Sequence, residues 1–151
     1  MDTVDTLQIR LADYPQDFPA IAQVREQVFQ QEQGVDPSLE FDEFDAQAQH
    51  FVALWQQTAV GTARIRWIAP QTAKLERLAV LAEYRRHGIG RQLMEYILKF
   101  LEQAQAIAVT MHAQTHAIPF YEKLGFVPEG ELFAEAGIPH ITMSKQLRSR
   151  S

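Results

Sequence analysis

The feature that most constrains the fold is a glycine-rich turn, Arg85 to Gly90 (Arg-Arg-His-Gly-Ile-Gly), at the start of an amphipathic segment. Apolar residues at helical spacing follow: Ile89, Leu93, Ile97 and Phe100 or Leu101. This pattern predicts a helix with one buried face. Thr72–Val80 before the turn and Ala106–Met111 after the helix have the composition of strands. A strand–helix–strand unit predicts that these two strands are parallel neighbours.

The remaining segments predict a mixed α+β fold in one domain, residues 1–151, with no internal repeat or linker. We expect these elements: a strand over Leu7–Leu11, a helix from Asp17 as N-cap, an irregular acidic stretch over Gln30–Gln49, a hairpin of His50–Trp55 with Ala59–Ile68, a short helix over Thr115–Leu124 ended by Gly125, and a hairpin of Phe126–Phe133 with Ile138–Gln146. Within Thr72–Val80 the alternation slips at Glu76-Arg77, which predicts a bulge or a strand that leaves its neighbour.

Composition excludes several functional classes. The chain has 151 residues, 46% of them hydrophobic, which is enough for one buried core. Its formal net charge of −5 opposes non-specific nucleic-acid binding, which needs basic residues to neutralise phosphates. The chain has no cysteine, so disulfides, a thiolate nucleophile and cysteine metal sites are excluded. The acidic start lacks a secretory pattern and no apolar run approaches the ~20 residues of a membrane span, so we expect a cytoplasmic protein without a membrane partner.

The glycine-rich turn has the properties of a pyrophosphate cradle. Backbone N–H groups at a helix start have no intrahelical partners, and Gly88 and Gly90 remove Cβ atoms that would keep a phosphate away. Arg85, Arg86 and Arg91 add local positive charge. The Walker pattern is absent, and the dinucleotide fingerprint fails because its third glycine is replaced here by a leucine. Taken alone, the hexamer is equally consistent with a plain turn carrying solvated arginines.

The surrounding motifs resemble those of a known family. The Arg-x-x-Gly-x-Gly turn is preceded by Leu75 to Val80 (Leu-Glu-Arg-Leu-Ala-Val) and followed by Phe120 to Phe126 (Phe-Tyr-Glu-Lys-Leu-Gly-Phe). In order and spacing these segments resemble the GNAT superfamily of N-acetyltransferases. Val28 to Gly34 and Glu135 to His140 (Glu-Ala-Gly-Ile-Pro-His) further resemble its ElaA/YjcF-type branch. The resemblance extends over nearly the whole chain.

This resemblance implies a fold and a cosubstrate. The fold is the α/β three-layer arrangement, with a mixed, mainly antiparallel central sheet, one splayed parallel strand pair and helices on both faces. The implied cosubstrate is acetyl-CoA, without a metal, and the family allows a homodimer. The implied contacts are the pantetheine-pairing residues Leu78, Ala79 and Val80, the pyrophosphate-binding residues Arg85, Arg86, His87, Gly88, Ile89, Gly90 and Arg91, and further contacts at Ala117, Phe120 and Lys123.

The resemblance also implies catalytic residues. Tyr121 matches the family's general acid, and a phenol with an ordinary pKa of ~10 is protonated and able to donate at neutral pH. A buried core tyrosine is the structural alternative. Glu76, on the strand that lines the cleft, is a candidate base acting through a water; an ion pair with Arg77 or Lys74 is its alternative. His140 resembles a branch histidine near the acceptor and is the other candidate base.

Other polar residues carry weaker functional signals. His112 and His116 have i,i+4 spacing, but the segment passes from strand to helix, so we predict no metal there; His112 could instead face the substrate. His50 and His87 are expected to be structural or exposed. Four acidic residues fall in one loop: Glu40, Asp42, Glu43 and Asp45. They are expected to form a solvated loop or, alternatively, an acidic rim that attracts a cationic amine, with Phe41 and Phe44 fixing the loop.

Together these features predict an acetyl-CoA-dependent N-acetyltransferase that acts by direct attack in a ternary complex. Without a cysteine there is no thiolate to carry the acetyl group, and backbone N–H groups near Val80 would polarise the thioester carbonyl. The acceptor stays open among a small-molecule amine, a peptide N-terminus and a lysine side chain. A non-catalytic acyl-CoA sensor and a plain interaction domain are the alternatives.

Overall fold

The computed structural model describes residues 6–148, and the acidic start of the chain lies outside this range. The strands, in chain order, are β1 (Leu7–Leu11), β2 (Gln49–Trp55), β3 (Thr58–Ala69), β4 (Thr72–Val80), β5 (Ala108–Gln114), β6 (Val127–Glu135) and β7 (Ile138–Gln146). The α-helices are α1 (Phe18–Arg25), α2 (Pro37–Glu40), α3 (Ile89–Gln103) and α4 (Ile118–Lys123). None of the helices in this range is long and apolar enough to cross a membrane.

The described strands form one sheet in the order β1-β2-β3-β4-β5-β7-β6, and only β4 and β5 pair in parallel. That pairing runs from Thr72 with Ala108 to Leu75 with Met111 and then stops. Beyond it, β4 stays paired with β3 and β5 stays paired with β7. The two strands therefore splay apart, and the facing edges of residues 76–80 and 112–114 have no ladder between them. The predicted parallel pair and mixed sheet are confirmed.

The splay begins at a bulge in β4. The β3–β4 register passes from Arg64 opposite Glu76 directly to Thr62 opposite Ala79, so one residue more is present on β4 than on β3. Arg77 has a φ of 62°, a left-handed conformation that costs a non-glycine residue about 1 kcal/mol or more. The bulge that the broken alternation at Glu76-Arg77 predicts is confirmed, and it turns the end of β4 away from β5.

Helices cover both faces of the sheet. The apolar side of α3, with Leu93 and Ile97 fully buried, packs in one core with Phe51, Ile65 and Leu75 of the strands. The helix pattern from Ile89 is thereby confirmed. On the opposite face α1 contacts β3 and β4, and a second core joins Val24 of α1 and Val28 just after it with Val60 and Ala79 of the strands.

Two local predictions differ from the structure. Asp17 does precede α1, but it makes no side-chain cap; its own backbone is helical (φ −85°, ψ −13°), and its carboxylate binds Arg10 at 2.7 Å and the Asp13 amide at 2.7 Å instead. The stretch Gln30–Gln49 is not wholly irregular. The helix continues in π form over Glu26–Glu32, and α2 follows with Asp36 as a true N-cap to the Ser38 amide at 2.9 Å.

Candidate active site

A row of backbone amides spans the end of the glycine-rich turn and the start of α3. Within residues 6–148, no N–H group from Arg86 to Arg91 donates a hydrogen bond to another part of the chain. Arg86 and Gly88 both have positive φ, 68° and 77°, and left-handed residues within a turn are typical of the backbone concavities that bind anions. The positive end of the α3 dipole lies at the same place. The turn therefore fits a pyrophosphate group.

Glycine is favoured at Gly88 and at Gly90 for different structural reasons. Gly88 occupies a left-handed conformation that favours glycine. A Cβ on Gly90 would instead meet Phe120 at 3.7 Å and Val80 at 3.8 Å, which are ordinary van der Waals contacts. The fold would therefore tolerate a side chain at Gly90. We infer that glycine is present there because it leaves the backbone open to a ligand.

A Gly90→Ala substitution should separate folding from ligand binding. Alanine has the higher helix propensity, so we expect an unchanged or higher free energy of unfolding, by up to about 1 kcal/mol. We expect affinity for acetyl-CoA to fall by about 10-fold, since the new methyl group stands where the ligand reaches the backbone. Urea unfolding and calorimetric titration measure the two quantities. A variant that binds acetyl-CoA as tightly as the parent would contradict this use of Gly90.

The arginines near the turn do not act alike. Arg85, expected to contact the pyrophosphate, forms a bidentate ion pair with Glu32 at 2.6 and 2.7 Å and donates from Nε to the Val80 carbonyl at 2.9 Å. Its guanidinium thus ties the π-helical segment to the end of β4, and the expected contact of Arg85 with the pyrophosphate stays a prediction. Arg86 is exposed, and Arg91 is 72% exposed with a single contact to Glu95 at 3.1 Å. Those two arginines supply the available positive charge.

The other predicted cosubstrate contacts surround the splay. Leu78 packs against the main core, Ala79 is buried, and Val80 reaches the turn, although its carbonyl already accepts the hydrogen bond from Arg85. His87 is exposed and its ring tilts against Trp55 at 6.3 Å. On the far side of the cleft, three further candidates lie on α4 or the turn before it: Ala117, partly buried; Phe120, next to Gly90; and Lys123, exposed in the last turn.

Tyr121 is almost fully buried, at 8% exposure, between the rings of Phe120 (5.0 Å) and Phe126 (5.8 Å). Burial raises the pKa of its phenol, which therefore stays protonated throughout the neutral range. Among the described residues its hydroxyl has no hydrogen-bond partner, and it is not sealed from solvent either. The side chain is thus both a core aromatic and an unused proton donor.

Glu76 has an environment that opposes a role as base. Its carboxylate receives hydrogen bonds from Arg64 at 3.0 Å and Arg66 at 2.8 Å and lies 3.4 Å from the ammonium of Lys74. Burial raises the pKa of Glu76, but the hydrogen bond from Arg66 and the charges of Arg64 and Lys74 outweigh it and lower the pKa to about 2. The ion-pair interpretation is the better supported one. Of its two predicted partners, Lys74 lies beside the Glu76 carboxylate and Arg77 does not pair with it.

The acidic loop is neither solvated nor an open rim. Glu40 and Asp45 are 2% and 6% exposed, and Asp45 lies 2.7 Å from both Arg25 and Arg64, whose side chains are 1% exposed. Asp42 completes the set at 2.7 Å from Arg64, and only Glu43 is exposed. Both interpretations of the loop from sequence are therefore wrong. One sequence signal is consistent with this burial: Arg25 in α1 and Arg64 in β3 stand within largely apolar segments, and a buried arginine needs acidic partners.

The loop is also tied to the bulge and to the aromatic residues. The guanidinium of Arg77 donates to the carbonyls of Leu39 and Glu40 at 3.1 and 2.9 Å. Phe41 lies 4.8 Å from the Arg25 guanidinium, and Phe44 lies 4.0 Å from that of Arg66. The segment beside the cleft is thus held rigidly against α1, β3 and the start of the splay.

This network predicts sensitivity to acid. The hydrogen bond from Arg64 lowers the pKa of Asp42 to about 2, and the pKa of Glu76 is likewise about 2. Both lie below the unfolded values of ~4, so the stability they contribute is present above that pH and is lost as the pH falls towards 2. We expect the free energy of unfolding to drop by about 2–3 kcal/mol between about pH 5 and pH 2.

Urea unfolding across this pH range, for the parent and two variants, checks the prediction. Glu76→Gln should lose part of the pH dependence, because the titrating carboxylate is gone. Glu43→Gln, at the exposed position of the same loop, should keep it. A free energy of unfolding that is flat from about pH 5 to pH 2 in the parent would contradict the account.

The histidines separate into distinct environments. His50 is buried, with Nε2 at 2.8 Å from the Asp45 carbonyl, as a structural role predicts. His112 and His116 diverge: His112 lies 2.8 Å from the carboxylate of Glu135, whereas His116 bonds the Gln114 side chain at 2.7 Å. His140 is 6% exposed, and its Nδ1 lies 2.7 Å from the Ile138 carbonyl. In the sequence Glu135 is only part of the Glu135 to His140 motif, and no signal there gives its carboxylate a role of its own.

Comparison with known proteins agrees with this geometry. Residues 17–147 match the family model described as the acetyltransferase (GNAT) domain. The uncharacterized N-acetyltransferase YjcF of Bacillus subtilis is 38% identical over 123 residues, which cover 81% of this chain and 87% of YjcF. The crystal structure of Escherichia coli ElaA superposes with a TM-score of 0.81 at 27% identity, over 95% of this chain and all of the ElaA chain.

A more distant structure has the same fold. A GNAT family acetyltransferase from Elizabethkingia anophelis, solved with acetyl-CoA bound, has a TM-score of 0.74 at 17% identity and covers 93% of this chain and 98% of its own. The family model spans most of the chain, and YjcF and ElaA are the relatives that name the branch expected from sequence. By these matches, and by the splayed strands beside a free-amide turn, the chain belongs to the GNAT family of acetyltransferases.

Proposed function

We propose that this enzyme transfers the acetyl group of acetyl-CoA to a primary amine by direct attack, with both substrates bound at once. The observation that carries the proposal is the row of unclaimed amides from Arg86 to Arg91, next to the unpaired edges of β4 and β5. An amide-rich ligand with a pyrophosphate satisfies both sets of groups. The acceptor would be an amine on a small molecule or a peptide.

In this proposal the amides of Arg86 to Arg91 bind the pyrophosphate, and the exposed Arg86 and Arg91 side chains add charge. The free edge of Leu78–Val80 pairs with the pantetheine arm, and N–H groups near Val80 polarise the carbonyl that is attacked. When bound, acetyl-CoA supplies an activated acyl group on a thiolate leaving group. Arg85 is a positioning residue in this proposal, since its guanidinium links the Val80 carbonyl to Glu32.

Tyr121 serves as the proton donor to the departing thiolate. Because its pKa is raised, the phenol is protonated when the thiolate leaves and can donate that proton to the sulfur. Among the described residues its hydroxyl donates to no other acceptor. A protein that used this tyrosine only for packing would gain nothing from an unpaired hydroxyl.

His140 is the better supported base. The Ile138 carbonyl can only accept a hydrogen bond, so Nδ1 of His140 carries the proton and Nε2 of the neutral ring presents a lone pair. Nε2 has no hydrogen-bond partner within residues 6–148 and is not sealed from solvent. Glu76, by contrast, is saturated by cations and holds its proton too weakly to take one from an ammonium.

Initial-rate kinetics test the proposal. We expect an amine panel with acetyl-CoA to release CoA, and double-reciprocal plots at several amine concentrations to intersect, as a ternary complex requires. Parallel lines would overturn direct attack. Tight binding of acetyl-CoA without CoA release on any amine would overturn the enzymatic proposal in favour of a sensor, and no binding at all would leave an interaction domain.

A further inference from the structure

Three polar side chains from adjacent strands meet at the open end of the sheet. β7 lies between β5 and β6, and His140 on β7 is paired with Gln114 on one side and Phe133 on the other. Glu135 lies 2.8 Å through Oε1 from Nδ1 of His112, and 4.0 Å through Oε2 from Nε2 of His140. We call these three residues, His112, Glu135 and His140, the His–Glu–His cluster.

An aromatic ring closes one side of the cluster. The ring of Phe133 packs edge-on to His112 with centroids 5.0 Å apart and stacks on His140 at 6.0 Å. It holds both imidazoles in fixed orientations and supplies an aromatic surface beside the carboxylate. The cluster is therefore organised before any ligand arrives.

The hydrogen-bond partners fix the tautomers of both rings. A carboxylate and a backbone carbonyl only accept, so Nδ1 of His112 and Nδ1 of His140 both carry hydrogen. In the neutral rings Nε2 is then a hydrogen-bond acceptor in each case. The side chains of Glu135 and His112 are 45% and 33% exposed, so the cluster is open to a ligand.

We infer that the His–Glu–His cluster is the binding site for the acceptor and that the acceptor arrives as a primary ammonium ion. The inference rests on the proposed function. The Nε2 lone pair of His140 and the carboxylate of Glu135, 4.0 Å apart, offer only acceptors and a negative charge, which matches an ammonium ion that lies between them; His112 holds the carboxylate from its other side through Nδ1. An acceptor whose reacting end carries a carboxylate or phosphate would face Glu135 as a like charge.

The cluster also accounts for the first chemical step. The bound ammonium loses one N–H proton to Nε2 of His140, so an N–H bond breaks, an Nε2–H bond forms, and the freed electron pair stays on the amine nitrogen. The amine becomes neutral and the imidazole becomes a cation opposite the carboxylate of Glu135. Glu135 is thus a binding residue for the ammonium and a positioning residue for the His112 ring.

The kinetic test uses Glu135→Gln, which keeps the hydrogen bond to His112 and removes the charge, and Glu131→Gln on the same strand as a matched control. We expect Glu135→Gln to raise the amine KM about 10-fold or more, with the acetyl-CoA KM unchanged, and Glu135→Asp to restore part of the loss. Glu131→Gln should match the parent. An unchanged amine KM in Glu135→Gln, or an equal loss for both substrates, overturns the site.

A spectroscopic test separates failure of this site from failure of the proposed function. Ring ¹⁵N spectra of the CoA-bound protein should show Nε2 of His140 shifting on addition of propylammonium chloride, and not on addition of 1-propanol. Shifts without turnover on any amine would retain the site and overturn the proposed function. Turnover with unmoved ring nitrogens would overturn the site alone.

Discussion

Replacing Arg64 with methionine should destabilise the fold by about 3–5 kcal/mol, because three carboxylates lose the buried cation that they share. The side chain of Arg64 is 1% exposed and binds three acidic residues at 2.7 to 3.0 Å: Asp42, Asp45 and Glu76. Methionine fills much of the same volume, so the loss reports the charges more than a cavity. Denaturant unfolding measures it.

The control is an ion pair that is partly in water. Arg10 binds Asp17 at 2.7 Å with side chains 34% and 23% exposed, so Arg10→Met should cost about 1 kcal/mol or less. If Arg64→Met does not fold, the milder Asp42→Asn should still cost more than Arg10→Met. Arg64→Met and Asp42→Asn variants no less stable than Arg10→Met would contradict the buried network.

Replacing Tyr121 with phenylalanine should lower kcat by about 10²–10⁴-fold while leaving affinity for acetyl-CoA and thermal stability nearly unchanged. The hydroxyl has no partner among the described residues, so its removal leaves no buried group unpaired. The ring keeps its contacts with Phe120 and Phe126. The substitution therefore removes only the proton donor, and its effect is on kcat.

The matched control is Tyr96→Phe on α3, a tyrosine 38% exposed that packs on Phe51 away from the cleft residues. It should keep full activity. A Tyr121→Phe enzyme within about three-fold of the parent kcat would assign this tyrosine to the core alone. A fall in melting temperature alongside kcat would instead indicate a packing role.

Sequence periodicity was sufficient for most of the fold. Strands and helices whose burial is set by neighbours within a few residues, such as β1 and α3, appear close to their predicted bounds. The bulge at Glu76-Arg77 was also visible, because a break in alternation is a local signal. The parallel order of β4 and β5 followed from the handedness and length of the connection between them.

Charge pairing was the part that sequence could not supply. Arg64 pairs with Asp42 and Asp45, 22 and 19 residues away, and Arg85 pairs with Glu32, 53 residues away. No local pattern distinguishes such arginines from solvated ones, so the pairing of Arg85 with Glu32 and the burial of Glu40 and Asp45 do not follow from the sequence. For Glu76 the sequence leaves a base and an ion pair open, because two of its cations, Arg64 and Arg66, come from β3 and only Lys74 from its own strand.

The most direct test of the account is an amide ¹H–¹⁵N titration of the protein with CoA, and with pantetheine as a control that lacks the pyrophosphate. We predict that CoA shifts the amides from Arg86 to Arg91 strongly, and that pantetheine leaves them in place while perturbing Leu78–Val80. If CoA binds and the amides of Arg86 to Arg91 do not move, the turn is not the pyrophosphate site and the central claim is wrong.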